Sequence, residues 1–391
     1  MPSALSKPLT DQTGTVPPLG DFKDEARKMS TYYGNSYCTI AATAAENTAQ
    51  GFLQARTDNV FADSCTLSPW LLQGGRQRIV RVGRGLPRWT DDVKDAAIYR
   101  RAWVLQERAL SARVLHWGRG ALWWECSHQR ASEFLPQENI SVGLDQNQPY
   151  MQPERWLDQA SSLSDLSRSW TVLIREYSAM NLGRESDRLI AFQGLADIVS
   201  QRFPGEIYLF GLWKSSLPQS LCWEVRERRQ VDGPIVSCNA PSWSWAACPH
   251  PVTYMYPPTH SRAEVISYDS TPENGFQCRL RIKGLLEKAP FRKRKIMREH
   301  EDGRCHKAKN YYLYFDSCPL KCPGMSNIDL LLVASFDWNR SMKDLCATQF
   351  LLLEPIERFP SHYRRIGKAM RWTKSLDWKG ENSEEVDIYL V

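Results

Sequence analysis

Residues 98–126 constrain the fold more than any other stretch, and their sequence is IYRRAWVLQERALSARVLHWGRGALWWEC. The first part has helical spacing, and Ser111 interrupts that periodicity. Two short apolar runs follow, at residues 114–117 and 122–124, and Gly118-Arg119-Gly120 between them supplies the backbone freedom of a tight turn. The stretch predicts a helix that leads directly into a tryptophan-rich β-hairpin. We take this unit as the centre of the fold.

The segment upstream predicts a helix followed by a strand. Four apolar side chains share one face of a helix that starts near residue 21: Phe22, Ala26, Met29 and Tyr33. Gly34 is placed to end this helix, and residues 36–42 then have the composition of a buried strand. A helix that leads into a buried strand favours an α/β layer. Further along, Thr90 is a candidate N-cap for the helix that carries Glu107.

The predicted secondary structure of the remainder of the chain changes twice. Residues 127–240 predict a helical region with one helix around Trp170, one from residue 186 and one over residues 206–223. From residue 241, seven short β-rich runs separated by turn residues predict an antiparallel sheet. We therefore expect an α+β protein divided into a disordered leader (1–20), an α/β segment with the hairpin (21–126), a helical region (127–240) and a β-rich C-terminal domain (241–391).

Charge and cysteine content narrow the function classes. The net charge of +6 is too mild to imply a nucleic-acid partner, and the basic run at residues 292–295 is better interpreted as a solvated loop. We find no signal peptide and no apolar run of membrane-spanning length. The 11 cysteines follow no disulfide rhythm. These features predict a reduced, cytoplasmic protein with no nucleic-acid or membrane partner.

Glu107 is the strongest candidate for chemistry. It shares a helical face with Trp103 and lies within reach of Arg101 and Arg108, so it can act as a polarised carboxylate in a cleft. The alternative is a structural ion pair. The cysteines do not form the two closely spaced pairs that structural zinc needs, so we expect no metal site.

The tryptophans define a second candidate site. Trp103, Trp117, Trp123 and Trp243 are candidates for the lining of a groove that binds a small molecule, with Trp243 and Trp245 on one face of a strand. The alternative is that these rings pack the core, which is what buried aromatic side chains usually do.

The helix–hairpin stretch resembles the end of the fungal heterokaryon incompatibility (HET) domain and the hairpin that follows it. Further motifs resemble the family in the same order: residues 29–42, 187–189, 194–196, 211–213, 241–246 and 363–367. Family members open with segments of the type A-L-S-Y-x-W-G and W-I-D-x-x-C-I-x-Q, and neither is present here. We therefore expect the chain to begin about halfway through the domain, which leaves an incomplete TIR-like α/β layer.

This resemblance implies a function in fungal non-self recognition that triggers growth arrest or cell death, through self-association or a partner protein. Because HET domains resemble TIR domains, some of which use a glutamate to hydrolyse NAD, it also implies Glu107 and Arg101 as catalytic residues and NAD as the substrate rather than a cofactor. One alternative is a scaffold recruited as a biosynthetic enzyme or binder of a small hydrophobic metabolite. Another is a truncated interaction module without activity.

Overall fold

The computed structural model describes residues 19–47, 49–53, 65–67, 80–82, 87–136, 162–229, 240–254, 260–271, 276–288, 297–299, 306–308, 311–316, 329–337, 346–373 and 383–391. The chain divides into two compact units, Met1–Arg155 and Trp156–Val391. The described elements form a mixed α+β fold with a β-rich C-terminal region, as the sequence predicts.

The first unit combines helices with a small sheet. Its α-helices and strands are α1 (Leu19–Gly34), β1 (Thr39–Ala41), β2 (Cys65–Leu67), β3 (Val80–Val82), α2 (Ala102–Leu110), β4 (Arg113–Trp117), β5 (Leu122–Cys126) and β6 (Arg130–Ser132). The order in the main sheet is β1-β4-β5-β6, with β1 parallel to β4 and the other pairs antiparallel. Helix α1 packs against α2. The predicted hairpin is confirmed, since β4 and β5 pair along their whole length.

Two local predictions in this unit are wrong. Residues 90–107 do not form one helix, because a π-helical turn (Thr90–Lys94) and a 3-10 turn (Ala97–Arg100) precede α2. Thr90 is not a cap; its hydroxyl donates to the Asp91 carboxylate. The strand after α1 is also not buried, because β1 lies at the end of the sheet order and Ile40 is 55% exposed.

The second unit places helices and a large sheet in one compact body. Its elements are α3 (Leu163–Ser178), α4 (Ile190–Arg202), β7 (Tyr208–Leu209), β8 (Leu212–Trp213), β9 (Glu224–Val225), β10 (Val252–Thr253), β11 (His260–Ser261), β12 (Glu264–Asp269), β13 (Arg279–Lys288), β14 (Met297–Glu299), β15 (His306–Ala308), β16 (Tyr311–Phe315), β17 (Asp329–Asp337), β18 (Cys346–Pro355), β19 (His362–Thr373) and β20 (Ser383–Leu390). Each of the seven predicted β-rich runs overlaps one strand.

The strands of the main sheet are almost entirely antiparallel, and five of them, β13, β17, β18, β19 and β20, pair in a closed ring. The core cluster associated with these strands is apolar and almost fully buried. Its members are Tyr311, Leu313, Phe315, Leu330, Leu332, Phe350, Leu352, Ile366 and Ala369. Successive side chains of a strand point to opposite faces of the sheet, so alternate apolar residues form this apolar face.

The predicted helix over residues 206–223 is wrong. Strands β7 and β8 form a short hairpin there, and 3-10 turns follow it. Phe210 and Gly211 both have positive φ, at 46° and 95°, which ends helical geometry at this point. At Gly211 an added Cβ would overlap the ring of Trp245, so a glycine is required.

The segment 242–245 is likewise not a strand. Ser244 caps a 3-10 turn (Trp245–Ala247) by accepting from the amide of Ala246. Trp243 and Trp245 are both completely buried. Both rings therefore lie in the interior of the second unit, where the indole nitrogen of Trp245 donates to the carbonyl of Gly211 at 3.0 Å.

Candidate functional site

Glu107 lies on α2 with its side chain in a buried position. The residue is only 5% exposed, and burial raises the pKa of its carboxyl. The hydroxyl of Tyr33, at the end of α1, and the charge of Arg101 both act to lower the pKa of this carboxyl. Of the two residues that the sequence nominated as catalytic, Glu107 lines a cavity and Arg101 acts on it through its charge without lining that cavity.

A cavity of about 420 Å³ opens beside Glu107. Its size falls within the range of small-molecule sites. Elements α1, β1, α2 and β4 and the turn before α2 contribute to the wall. The side chains that matter for chemistry are a carboxyl, a guanidinium, a thiol and three phenols, from Glu107, Arg108, Cys38, Tyr32, Tyr33 and Tyr99.

Arg108 joins the cavity to the buried face of the hairpin. Its Nε and Nη2 donate to the two carboxylate oxygens of Glu125 at 2.7 and 2.9 Å. The guanidinium also lies over the rings of Trp89 and Tyr99, 5.6 and 4.7 Å from their centroids. The carboxylate and the two rings hold the guanidinium plane in one orientation.

Glu125 is the centre of a fully buried polar network. Besides Arg108, it accepts from Arg130, whose Nε lies 3.1 Å from a carboxylate oxygen, and from Nε2 of His116 at 3.1 Å. These positive and donor groups hold its pKa well below the usual range despite burial. The hydroxyl of Tyr99 completes the network at 2.6 Å from Nδ1 of His116.

Burial lowers the pKa of His116 to about 4, against the opposing effect of Glu125. The ring is therefore neutral at pH 7. With Nε2 donating to Glu125, Nδ1 is left to accept from the hydroxyl of Tyr99. These two hydrogen bonds fix one tautomer of His116 and hold the side chain of Tyr99 in the cavity wall.

Asp92 holds the hairpin turn in place. Its carboxylate accepts from the amides of Gly120 and Ala121, at 3.0 and 2.9 Å, and from the indole nitrogen of Trp123 at 2.9 Å. An added Cβ at Gly118 would come within 2.6 Å of the same carboxylate. The turn glycine is therefore needed for close approach of Asp92 as well as for the turn itself.

The nominated tryptophans of the first unit, Trp103, Trp117 and Trp123, lie in different surroundings. Trp117 and Trp123 point to opposite faces of the hairpin, because Trp117 pairs with Leu122 and His116 pairs with Trp123. Trp123 is buried beside Trp89, whereas Trp117 contacts Phe52. Trp103 is half-buried on α2, and none of these three lines the cavity beside Glu107.

Trp243 belongs to the second unit, where it packs edge-to-face on Phe210. The same unit contains two buried ion pairs on β19. Arg365 donates to Asp316 at 2.7 Å, and Lys368 donates to Glu224 at 2.8 Å. Both cations are almost fully inaccessible, so their contribution is to the packing of this unit.

The sequence did not single out Tyr33, Tyr99 or Glu125 as site residues. Alternation along β5 offered one signal, since Glu125 follows Trp123 by two residues and must share its face. No spacing connects Tyr33 to Glu107, and only the packing of α1 brings it there. Tyr99 lies eight positions before Glu107, in the 3-10 turn before α2, and both line the cavity. Residues 292–295 and the cysteines at 305, 318 and 322 lie outside the described residues.

Within the part of the chain that the structure describes, no group of three or more His, Cys, Asp or Glu side chains is arranged to hold a metal ion. No described helix is both long enough and apolar enough to span a bilayer.

Residues 18–107 match the family model described as "Heterokaryon incompatibility protein (HET)". The match covers α1, β1 and α2 as far as Glu107, so the resemblance predicted from the sequence is confirmed over this segment. The similarity to the HET family is therefore shown for residues 18–107. No curated protein and no solved structure matched the chain.

Proposed function

We propose that this chain acts in fungal non-self recognition, where it triggers growth arrest or cell death by hydrolysing NAD at Glu107. The observation that carries the proposal is a buried carboxyl with a raised pKa in the wall of a cavity of about 420 Å³. The HET family match supports the biological setting. Self-association or a partner protein would supply the trigger.

The reaction is cleavage of the bond between the nicotinamide nitrogen and C1′ of the ribose. The bonding electron pair leaves with nicotinamide, and water adds at C1′. The carboxylate of Glu107 stabilises the positive charge that develops on the ribose and takes the proton of the water. A carboxylate whose pKa is raised is a better base for this step.

Tyr33 and Arg101 have positioning roles in this mechanism. The hydroxyl of Tyr33 and the charge of Arg101 both favour the ionised form of the carboxyl, so both oppose the effect of burial on its pKa. Loss of either group raises the pKa of Glu107 further. We therefore expect a Tyr33→Phe variant to shift the acidic limb of the pH–rate profile to higher pH.

Purified protein incubated with NAD, with nicotinamide release followed by chromatography, tests the proposal. We expect release by the wild type and loss of at least about a hundredfold in Glu107→Gln, since a positioned base contributes about 10²–10⁴-fold. Glu46→Gln is the matched control, because Glu46 is an exposed acid in the same unit. Induced expression in a fungal host should arrest growth for the wild type and the control alone.

Two results would remove the proposal. The first is a folded wild-type protein that releases no nicotinamide under conditions in which a competent enzyme does. The second is a Glu107→Gln variant that keeps the activity of the wild type. The competing hypothesis of a hydrophobic-metabolite binder receives less support, because the cavity wall carries a carboxyl and a guanidinium and excludes the nominated indoles.

A further inference from the structure

We infer that Arg108 makes the cavity an anion-selective site, which takes a ribose that carries a phosphate in preference to the uncharged ribose. The inference rests on the proposed function for the identity of the ribose ligand. The presence of the anion subsite rests on Arg108 alone, which is 8% exposed and lines the cavity.

One nitrogen of the guanidinium is left for a ligand. Glu125 engages Nε and Nη2, and Nη1 makes no hydrogen bond to any of the described residues. Because the guanidinium is a planar fork, Nη1 points away from the edge that faces Glu125. For a guanidinium nitrogen that has no acceptor among the described residues, an anionic oxygen is the strongest acceptor.

The orientation of this donor is fixed before any ligand arrives. The bidentate contact with Glu125 and the rings of Trp89 and Tyr99 hold the guanidinium, so a ligand need not order it. Arg108 also follows Glu107 directly in α2, and both line the same cavity. A single ligand can therefore present a hydroxyl to Glu107 and an anionic oxygen to Arg108.

The exposed side of the cavity suits a flat or apolar group. Tyr32 and Ile40 line it, and both are 55% exposed. A ligand with a ring next to the ribose would cover these side chains from water. The structure thus assigns the cavity to the ribose-phosphate half of a nucleotide, with its base at the mouth.

Binding to Glu107→Gln, which removes turnover, tests the subsite by calorimetry. Two pairs of probes differ only in a phosphate: nicotinamide mononucleotide against nicotinamide riboside, and ribose 5-phosphate against ribose. We expect the phosphorylated member of each pair to bind about ten- to a hundredfold more tightly, the value of one charge-assisted hydrogen bond. Preference for the phosphorylated probe in the first pair alone would show that the base also contributes to binding, and it would still support the subsite.

Arg108→Lys keeps the charge but loses the fork, and it should reduce the preference within each pair to about threefold or less. Arg113→Lys is the matched control, since Arg113 is a neighbouring arginine on β4 that does not line the cavity. If Arg108→Lys does not fold, the affinity ratio within each probe pair, measured on Glu107→Gln alone, still tests the subsite. Equal affinity within both pairs overturns the inference, whatever the outcome of the nicotinamide assay. Conversely, phosphate preference without nicotinamide release would contradict the proposed NAD hydrolysis and would still support the anion subsite.

Discussion

Replacement of Glu125 by glutamine is the sharpest test of the physical picture. The side chain keeps its shape, but one carboxylate oxygen becomes an NH₂ group that faces the donors of Arg108 and Arg130. Glu125 is completely buried, so water cannot replace the lost acceptor. Two guanidinium groups then remain in the interior without the carboxylate that both of them contact.

The expected magnitude follows from the geometry. Removal of one partner from a buried ion pair costs about 3–5 kcal/mol, because the remaining charge stays desolvated. Here the distances of 2.7 and 2.9 Å to Arg108 describe a well-formed bidentate pair. At about 1.4 kcal/mol per tenfold, the opening equilibrium of the first unit should rise by about a hundredfold to a few thousandfold.

Hydrogen–deuterium exchange of peptides from residues 102–126 measures this opening directly. An exchange assay is preferable to a global melting curve, because the chain has two compact units and need not unfold in one step. We expect the Glu125→Gln variant to exchange faster in these peptides, with peptides from residues 346–373 unchanged.

Glu46→Gln provides the matched control. Glu46 also pairs with an arginine, Arg119, at 3.0 Å, but the two side chains are 61% and 69% exposed. An exposed pair contributes at most about 1 kcal/mol. If the Glu125 variant exchanges no faster than the Glu46 variant, the buried network does not stabilise the unit and the reasoning fails.

Three further variants probe other contacts. The pKa of His116 is about 4 in the folded protein, against 6.5 for an ordinary histidine, so the unfolded chain takes up a proton as the pH falls through this window. The free energy of unfolding should therefore drop by about 3 kcal/mol across the window. In His116→Gln, hydrogen exchange corrected for its intrinsic pH dependence should no longer show this fall in stability. Asp92→Ala removes three hydrogen bonds at the hairpin turn and should cost about 2–4 kcal/mol by exchange, whereas the exposed neighbour Asp91→Ala should cost less than about 0.5. Gly211→Ala combines positive φ with overlap on a tryptophan ring and should lower the melting temperature of the second unit clearly more than Gly205→Ala, which has φ 99° and open space; equal shifts would disprove the overlap.

The local sequence pattern predicts the secondary structure correctly where the apolar residues follow a single period. The spacing of Met29 and Tyr33 predicted α1, and the glycine-centred turn at residues 118–120 predicted the β4–β5 hairpin. The same reasoning failed over residues 206–223, where apolar density resembled a helix. There the positive φ of Phe210 is decisive, and a phenylalanine gives no sequence signal for that conformation.

The candidate site shows the same division. The sequence nominates Glu107 and Arg101 as candidates, because they lie within two turns of one helical stretch. It does not nominate the partners that set their properties. Tyr33 lies 74 positions before Glu107, and its hydroxyl affects the pKa of this carboxyl only because α1 packs against α2.

The sequence by itself determined the helix–hairpin unit, the β-rich C-terminal region and the HET resemblance, since each depends on short-range periodicity or on the order of motifs. The tertiary structure alone decided that Glu107 and Arg108 share a cavity, that Glu125 holds the guanidinium of Arg108, and that the nominated tryptophans do not line that cavity. These outcomes depend on burial and on contacts between distant segments. Spacing along the chain encodes neither.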